Sequence, residues 1–86
     1  MKILPLNEVG PHRTGSINPD YTVEDINRIL GFAPNVQDDP DKVENSWGFT
    51  VNGVQCGIWD YKGARWSTYS AGPDHILKKL FPDIIP

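Results

Sequence analysis

The 86-residue sequence has a single cysteine, Cys56, and this excludes an intramolecular disulfide. A small chain without disulfides is typical of a reducing compartment. No apolar run is long enough to span a bilayer, and the N-terminus lacks the hydrophobic region of a signal peptide. We therefore expect a cytoplasmic protein that does not bind membranes.

Basic and apolar residues are also scarce. Eight Lys and Arg stand against eleven Asp and Glu, which gives a net charge of −3. Since proteins bind phosphate backbones mainly through Lys and Arg, general nucleic-acid binding is not expected. Hydrophobic residues make up only 38% of the chain, but three Trp, three Tyr and three Phe supply large apolar surfaces. Such a chain can build one compact core but no large ligand cavity.

Motifs for catalysis and for metal binding are lacking as well. The two histidines and the scattered carboxylates do not have metal-ligand spacing, and there is no glycine-rich phosphate loop. Cys56 is predicted to face the core, where burial raises the pKa of a thiol. Asp60 is expected to open a turn by accepting backbone N–H bonds. We expect no enzymatic activity, no catalytic residue and no cofactor.

What the chain does contain is an aromatic segment, residues 46–70, which holds all three tryptophans. Its alternating pattern predicts a three-stranded antiparallel β-meander. Asn52-Gly53 supplies the positive φ angles of a two-residue type I′ turn between the first two strands. That turn places six apolar side chains on one face of the sheet, called the core face below: Trp47, Phe49, Val51, Val54, Cys56 and Ile58.

The second turn of the meander leaves two registers open. A type I turn with a glycine bulge would pair Asp60 with Ala64 and direct Trp66 to the core face. A two-residue turn would pair Tyr61 with Ala64 and direct Trp66 to the opposite side, called the second face below. We favour the bulge because it gives the core another large apolar group. In both registers Trp59 lies on the second face.

A first helix is predicted over residues 22–30. Thr22 is the expected N-cap, and Asp25 completes a capping box with it. Apolar residues at helical spacing form one stripe, while Asn27 and its polar neighbours are expected to face solvent. Gly31 stands where a left-handed C-terminal cap is expected.

The ends of the chain are predicted to complete a single α+β domain, residues 1–86, with two helices packed on one face of the meander. Residues 1–20 predict a short edge strand followed by an arm. This arm carries His12-Arg13, which could act as a small positive contact point, although a solvated loop is the simpler interpretation. Residues 73–81 predict the second helix, and the apolar tail that follows is expected to dock on the body or on a partner.

An acidic connector, residues 33–45, joins the first helix to the meander. It carries Asp38, Asp39 and Asp41, but it lacks the spacing of a calcium-binding loop. We interpret it as a capped helical turn with Asp39 as the N-cap. The cluster could also serve as an acidic contact against a basic partner.

The second face carries the main candidate contact residues: Trp59, Tyr61, Lys62, Arg65 and Tyr69. In the favoured register Trp59 and Arg65 are cross-strand neighbours and could stack as a cation–π pair. Exposed Trp, Tyr and Arg on one face are typical of a binding hot spot. An equally open alternative is that residues 7–20 cover this face and make Trp59 part of the core.

Ser46 to Val51 (SWGFTV) and Cys56 to Gly63 (CGIWDYKG) resemble segments of short uncharacterised proteins encoded by bacteriophages and other mobile elements. The resemblance implies a small non-enzymatic protein that acts in the cytoplasm of an infected bacterial cell. Compact acidic proteins of this kind resemble inhibitors of host defence, such as anti-CRISPR or anti-restriction proteins. We therefore expect the chain to bind and inhibit a larger host protein or complex.

The alternative is a small-molecule or nucleotide binder that sequesters a signal. In that case Trp59, Tyr61 and Tyr69 would stack on a base, while Lys62 and Arg65 would meet phosphate. A symmetric homo-oligomer with sites between subunits would suit a chain this small.

Overall fold

The computed structural model describes residues 1–37, 43–61, 64–72 and 75–85. Within these ranges the chain forms a five-stranded antiparallel sheet and two short helices. Along the chain the elements are β1 (Ile3–Pro5), β2 (Gly15–Ser16), α1 (Val23–Leu30), β3 (Val43–Val51), β4 (Val54–Tyr61), β5 (Ala64–Ser70) and α2 (His75–Lys78). Across the sheet the order is β1-β3-β4-β5-β2.

The predicted α+β class is confirmed, but the prediction of three strands is wrong. The N-terminal segment adds one strand to each edge of the meander, because β1 pairs with β3 and β2 pairs with β5. β3 is also longer than predicted, since it begins at Val43 inside the expected connector. A two-residue strand such as β2 has too little sequence to produce an alternating pattern.

The first hairpin is confirmed in turn type and in register. Asn52 and Gly53 have φ angles of 51° and 85°, as a type I′ turn requires. Trp47 pairs with Ile58 and, two residues on, Phe49 pairs with Cys56. The local turn signal was therefore sufficient to fix this part of the sheet.

The second hairpin follows the register of the two-residue turn at Tyr61 and Ala64 and departs from both predicted registers beyond that pair. Tyr61 pairs with Ala64 next to the turn, but Trp59 pairs with Ser67 because β5 has one extra residue between the two pairs. The extra residue reverses which face the following side chains of β5 point to. These side chains therefore lie on the same faces as they would after a bulge in the turn. Trp66 therefore lies on the core face, 1% exposed, as predicted from its size.

α1 is confirmed, with both caps formed by the predicted residues. Asp25 N–H donates to Thr22 Oγ1 at 3.1 Å, and Thr22 N–H donates to Asp25 Oδ2 at 2.9 Å. Gly31 ends the helix with a φ of 93°. Asn27 does more than face solvent, because its Oδ1 accepts a bond of 3.0 Å from Trp47 Nε1. This bond ties the helix to the centre of the sheet.

α2 ends earlier than predicted. His75–Lys78 is helical and residues 79 and 80 continue as a turn, while residues 73 and 74 lie outside the described part of the chain. Leu77 and Phe81 are fully buried. The C-terminal tail docks on the body of the protein, which was one of the two expected positions. It does so through an antiparallel bridge between Ile85 and Ser16 of β2.

The core lies between the core face of the sheet and the two helices. Its largest side chains, Trp47 and Trp66, meet edge to face with ring centroids 5.7 Å apart. Twelve buried residues form this cluster: Ile17, Ile26, Leu30, Trp47, Phe49, Val51, Cys56, Ile58, Trp66, Leu77, Phe81 and Ile84. In the described ranges no helix has the length and apolar character needed to cross a membrane.

Candidate functional site

The second face of the sheet is crossed by the chain's own N-terminal arm, residues 6–14. β1 and β2 lie at opposite edges of the sheet, so the segment between them must pass from one edge to the other, and its contacts with Gly48 and Gly57 show that it does so over the second face. The arm follows a row of cross-strand neighbours, Gly48 on β3, Gly57 on β4 and Tyr69 on β5. We call Gly48, Gly57 and Tyr69 the glycine row.

The two glycines of this row allow backbone to pack directly on backbone. A Cβ atom at Gly57 would overlap the carbonyl oxygen of Val9 and lie 2.7 Å from its Cα. A Cβ atom at Gly48 would overlap the carbonyl oxygens of Leu6 and Glu8. Any larger residue at either position would therefore exclude the arm. The alternative in which the arm covers the second face is confirmed for the glycine row.

Hydrogen bonds anchor the arm at both of its ends. At one end Leu6 N–H donates to Gly48 O at 2.9 Å, and the Asn35 side chain bridges the same place. Its Nδ2 donates to Leu6 O and to Gly48 O, both at 3.0 Å, and its Oδ1 accepts from Gly48 N–H. At the other end Thr14 N–H donates to Thr68 O at 2.8 Å.

Tyr69, predicted as a contact residue for a partner or ligand, is in contact with the arm of its own chain. Gly10 has a φ of 107°, and a Cβ atom there would overlap the Tyr69 ring. His12 meets the same ring edge to face, with centroids 5.6 Å apart. The Tyr69 ring therefore packs between the sheet and the arm, and the residue is half-buried.

Trp59 lies one row further along the second face, beside the arm. Its cross-strand partners are Ser46 and Ser67, both with small side chains. The indole is half-buried, so it is neither part of the core cluster nor fully exposed. The predicted position of Trp59 on the second face is correct, and part of its ring faces solvent.

Arg65 does not join Trp59, contrary to the prediction. The bulge in β5 removes the expected cross-strand pairing, and the Arg65 guanidinium lies 5.4 Å from the ring centroid of Trp66. The cation–π pair therefore forms with a core tryptophan. The exposed Arg65 side chain covers the edge of the core.

Several other predicted contact residues fall outside the described ranges. These are Lys62 and the acidic residues Asp38, Asp39 and Asp41, while Tyr61 is described only through its backbone in β4. Their role in binding stays a prediction.

The carboxylate of Asp60, expected to accept backbone N–H bonds, is buried at the end of the sheet. Asp60 Oδ1 accepts backbone N–H bonds from Glu44 and Asn45 at 2.9 and 2.8 Å, and its Oδ2 accepts from Asn45 Nδ2 at 3.0 Å. The expectation that Asp60 accepts backbone bonds is right, and within the described residues the donors belong to β3. A contact across two strands gives no local signal in the sequence.

The thiol is placed as predicted. Cys56 is fully buried, and burial raises the pKa of its thiol above the ordinary value. Its Sγ lies 3.9 Å from Ser70 Oγ. Within the described ranges, no group of three or more His, Cys, Asp or Glu residues is arranged to hold a metal ion.

An open depression of about 580 Å³ lies beside the arm. Arm residues form one side, and Val36, Gln37, Gln55 and Tyr69 complete its lining. Its walls combine side-chain amides and apolar groups with the carboxyl group of Glu8, which suits a peptide better than a phosphate.

Comparison of the chain with protein-family models, with characterised proteins and with solved structures gives no match. The function must therefore be inferred from the chain itself, and the strongest candidate surface is the second face, with the arm over the glycine row and Trp59 beside it.

Proposed function

We propose that the protein is a small non-enzymatic binding protein, encoded by a phage, that inhibits a larger protein or complex of the bacterial host by direct contact. The observation that supports this most is the setting of Trp59. Its indole stands on the second face between two serines, next to the arm, with part of the ring in solvent. Half-buried tryptophans of this kind are frequent anchors of protein interfaces.

The alternative of nucleotide binding has less support from the geometry. It needs Trp59, Tyr69 and Arg65 to converge on one ligand. The Tyr69 ring is instead packed against the arm, and the Arg65 guanidinium lies over the Trp66 ring. A surface for a protein partner needs no such convergence, so it remains the better account of Trp59.

The test is native mass spectrometry of the tagged protein recovered from a bacterial lysate, with wild type and Trp59→Ala side by side. We expect a large protein to co-purify with the wild type and to be reduced at least about tenfold with Trp59→Ala, as for a hot-spot residue. The melting temperature of the variant should fall by only a few degrees, since Trp59 is outside the core cluster.

The matched control is Thr50→Ala, which removes another half-buried side chain of the second face away from Trp59. This variant should retain the co-purifying protein. A large loss of stability in Trp59→Ala with undiminished binding would contradict the proposal. An added mass of a few hundred daltons per subunit, in place of a protein, would support the nucleotide alternative.

A further inference from the structure

The middle of the arm, residues 7–13, is an irregular segment that lies against the second face of the sheet. Its ends are fixed by the bonds of Leu6 and Thr14, and its centre rests on Gly57 and Tyr69. Five of its seven residues are exposed to solvent: Asn7, Glu8, Pro11, His12 and Arg13. We call residues 7–13 the presented segment.

The backbone of the presented segment is available for binding. Among the residues that the structure describes, no hydrogen bond involves a backbone N–H group of residues 7–13. Such groups are normally satisfied by water on a free surface, and a partner can replace that water. The segment therefore combines exposed side chains with backbone donors that have no partner within the described residues.

The contacts with the glycine row and the anchoring hydrogen bonds preorganise the segment for binding. Ordering a free loop on binding costs conformational entropy, which weakens the complex. Here the anchors and the glycine row have already fixed the path of the chain before any partner arrives. A loop held in this way can bind with little further loss of freedom.

Charge indicates the kind of surface that would receive the segment. Arg13 is exposed, and in the described ranges the one ion pair is that between Arg28 and Asp25, so Arg13 has no carboxylate partner there. A planar guanidinium binds a carboxylate through two parallel bonds. Beside the segment, the depression lined by Gln37 and Gln55 could receive a polar side chain of the partner.

We propose that the presented segment is the element by which this protein contacts its target, and that the target offers a carboxylate-lined groove that takes up Arg13. The inference rests on the proposed function and names the part of the second face that carries it. Trp59 extends the same surface, because its row lies next to the glycine row.

The first experiment is site-specific photocrosslinking in bacterial cells. A benzophenone amino acid replaces Pro11 in the presented segment, Ser67 beside Trp59, or Glu24 on the exposed side of α1 as the control. We expect a protein adduct from position 11 and none from position 24. Sequencing of the crosslinked target peptide should show Asp or Glu residues near the attachment point.

The second experiment uses charge reversal with a matched control. Arg13→Glu and Lys79→Glu both replace a positive charge by a negative one at an exposed position. Arg13 lies in the presented segment and Lys79 directly after α2. In a background that carries the crosslinker at position 11, Arg13→Glu should reduce the adduct at least about tenfold, and Lys79→Glu less than twofold. Circular dichroism should show that both variants fold.

The outcomes separate this inference from the proposed function. An adduct from position 67 without one from position 11 would overturn the proposed role of the presented segment, and so would equal effects of the two charge reversals. Either result would leave the proposed function, binding to a host protein, intact. No adduct from any of the three positions would overturn both.

Discussion

The two faces of the sheet are covered in opposite ways. The core face is filled by large apolar side chains that interdigitate with the helices, with Trp47 and Trp66 at its centre. The second face is covered by the arm at two positions without side chains, Gly48 and Gly57, which let the arm backbone pack directly on the strands. One face is stabilised by buried apolar area, and the other depends on a close fit of backbone to backbone.

This difference predicts that the two faces fail differently. Damage to the core face should unfold the chain, since its twelve buried residues form one cluster. Damage to the glycine row should release the arm and leave the meander and the helices folded. Local release of a covering segment is expected where few buried apolar contacts hold it.

The largest effect is expected for Trp47→Ala. Trp47 is fully buried, packs on Trp66 and donates to Asn27, so the variant leaves a cavity and an unpaired amide oxygen. We expect a loss of about 3–5 kcal/mol in the free energy of unfolding. That is a large part of the total stability of so small a domain. Urea unfolding followed by circular dichroism measures it, and a loss below about 1 kcal/mol would contradict the assigned role of the core face.

A smaller and local effect is expected for Gly57→Ala. The added methyl group would overlap the Val9 carbonyl, so the arm must move while the core face is untouched. We expect a loss of about 1–3 kcal/mol, as for other overpacked sites. Limited proteolysis should cut residues 7–13 at least several-fold faster, with the melting transition still cooperative.

Gly31→Ala is the matched control for this variant. Gly31 has a φ of 93°, so alanine is strained there, yet no atom lies within 4 Å of the new methyl group. Its stability should fall by about 1 kcal/mol with no change in cleavage of the arm. Equal cleavage of both glycine variants would show that the glycine row does not hold the arm.

The prediction with the smallest effect concerns alkaline pH. The folded Cys56 thiol keeps its proton at a pH where the unfolded thiol, with a pKa of about 9, has lost it. Since the folded state then binds more protons, stability is unaffected below that pH and falls as the pH rises above it. Burial also raises the pKa of Tyr21, helped by Asp83 and Asp25, and this adds a loss of the same sign above about pH 10.

Urea midpoints measured from pH 7.5 to 10.5 test this linkage. The midpoint of the wild type should fall more steeply between pH 9 and 10 than that of Cys56→Ala. The slopes are compared, because the substitution lowers the midpoint at every pH. Parallel slopes would mean that the thiol is not buried, and rapid labelling of Cys56 in the native protein would show the same.

The parts of the fold that the sequence predicted are those with local signals. The Asn52-Gly53 turn determined the register of the first hairpin, and Thr22 with Asp25 marked the start of α1. The short edge strand predicted at the N-terminus is found as β1, whereas β2 was not predicted, since it has only two residues and pairs with a strand about fifty residues away. The pairing of β5 departs from the prediction opposite Asp60, whose carboxylate bonds to Glu44 and Asn45 of β3, and no local signal in the sequence marks such contacts between separate strands.

The candidate site divides along the same line. Alternation placed Trp59 and Tyr69 on the second face correctly. Whether that face was open could not be read from alternation, because the arm that covers it is distant in sequence. The glycines gave the one usable signal, since Gly48 and Gly57 become cross-strand neighbours once the first turn is known. Such a pair makes space that the chain's own backbone can fill.

The position of the arm at the start of these elements also sets the order in which the sheet can close. Residues 1–16 are synthesised before β3, β4 and β5, yet both strands in them pair with partners about fifty residues later. Such distant pairings form slowly, whereas the hairpins joined by tight turns form early. We therefore expect the glycine row to be uncovered at first on the ribosome, with the arm packing on it after the hairpins have formed.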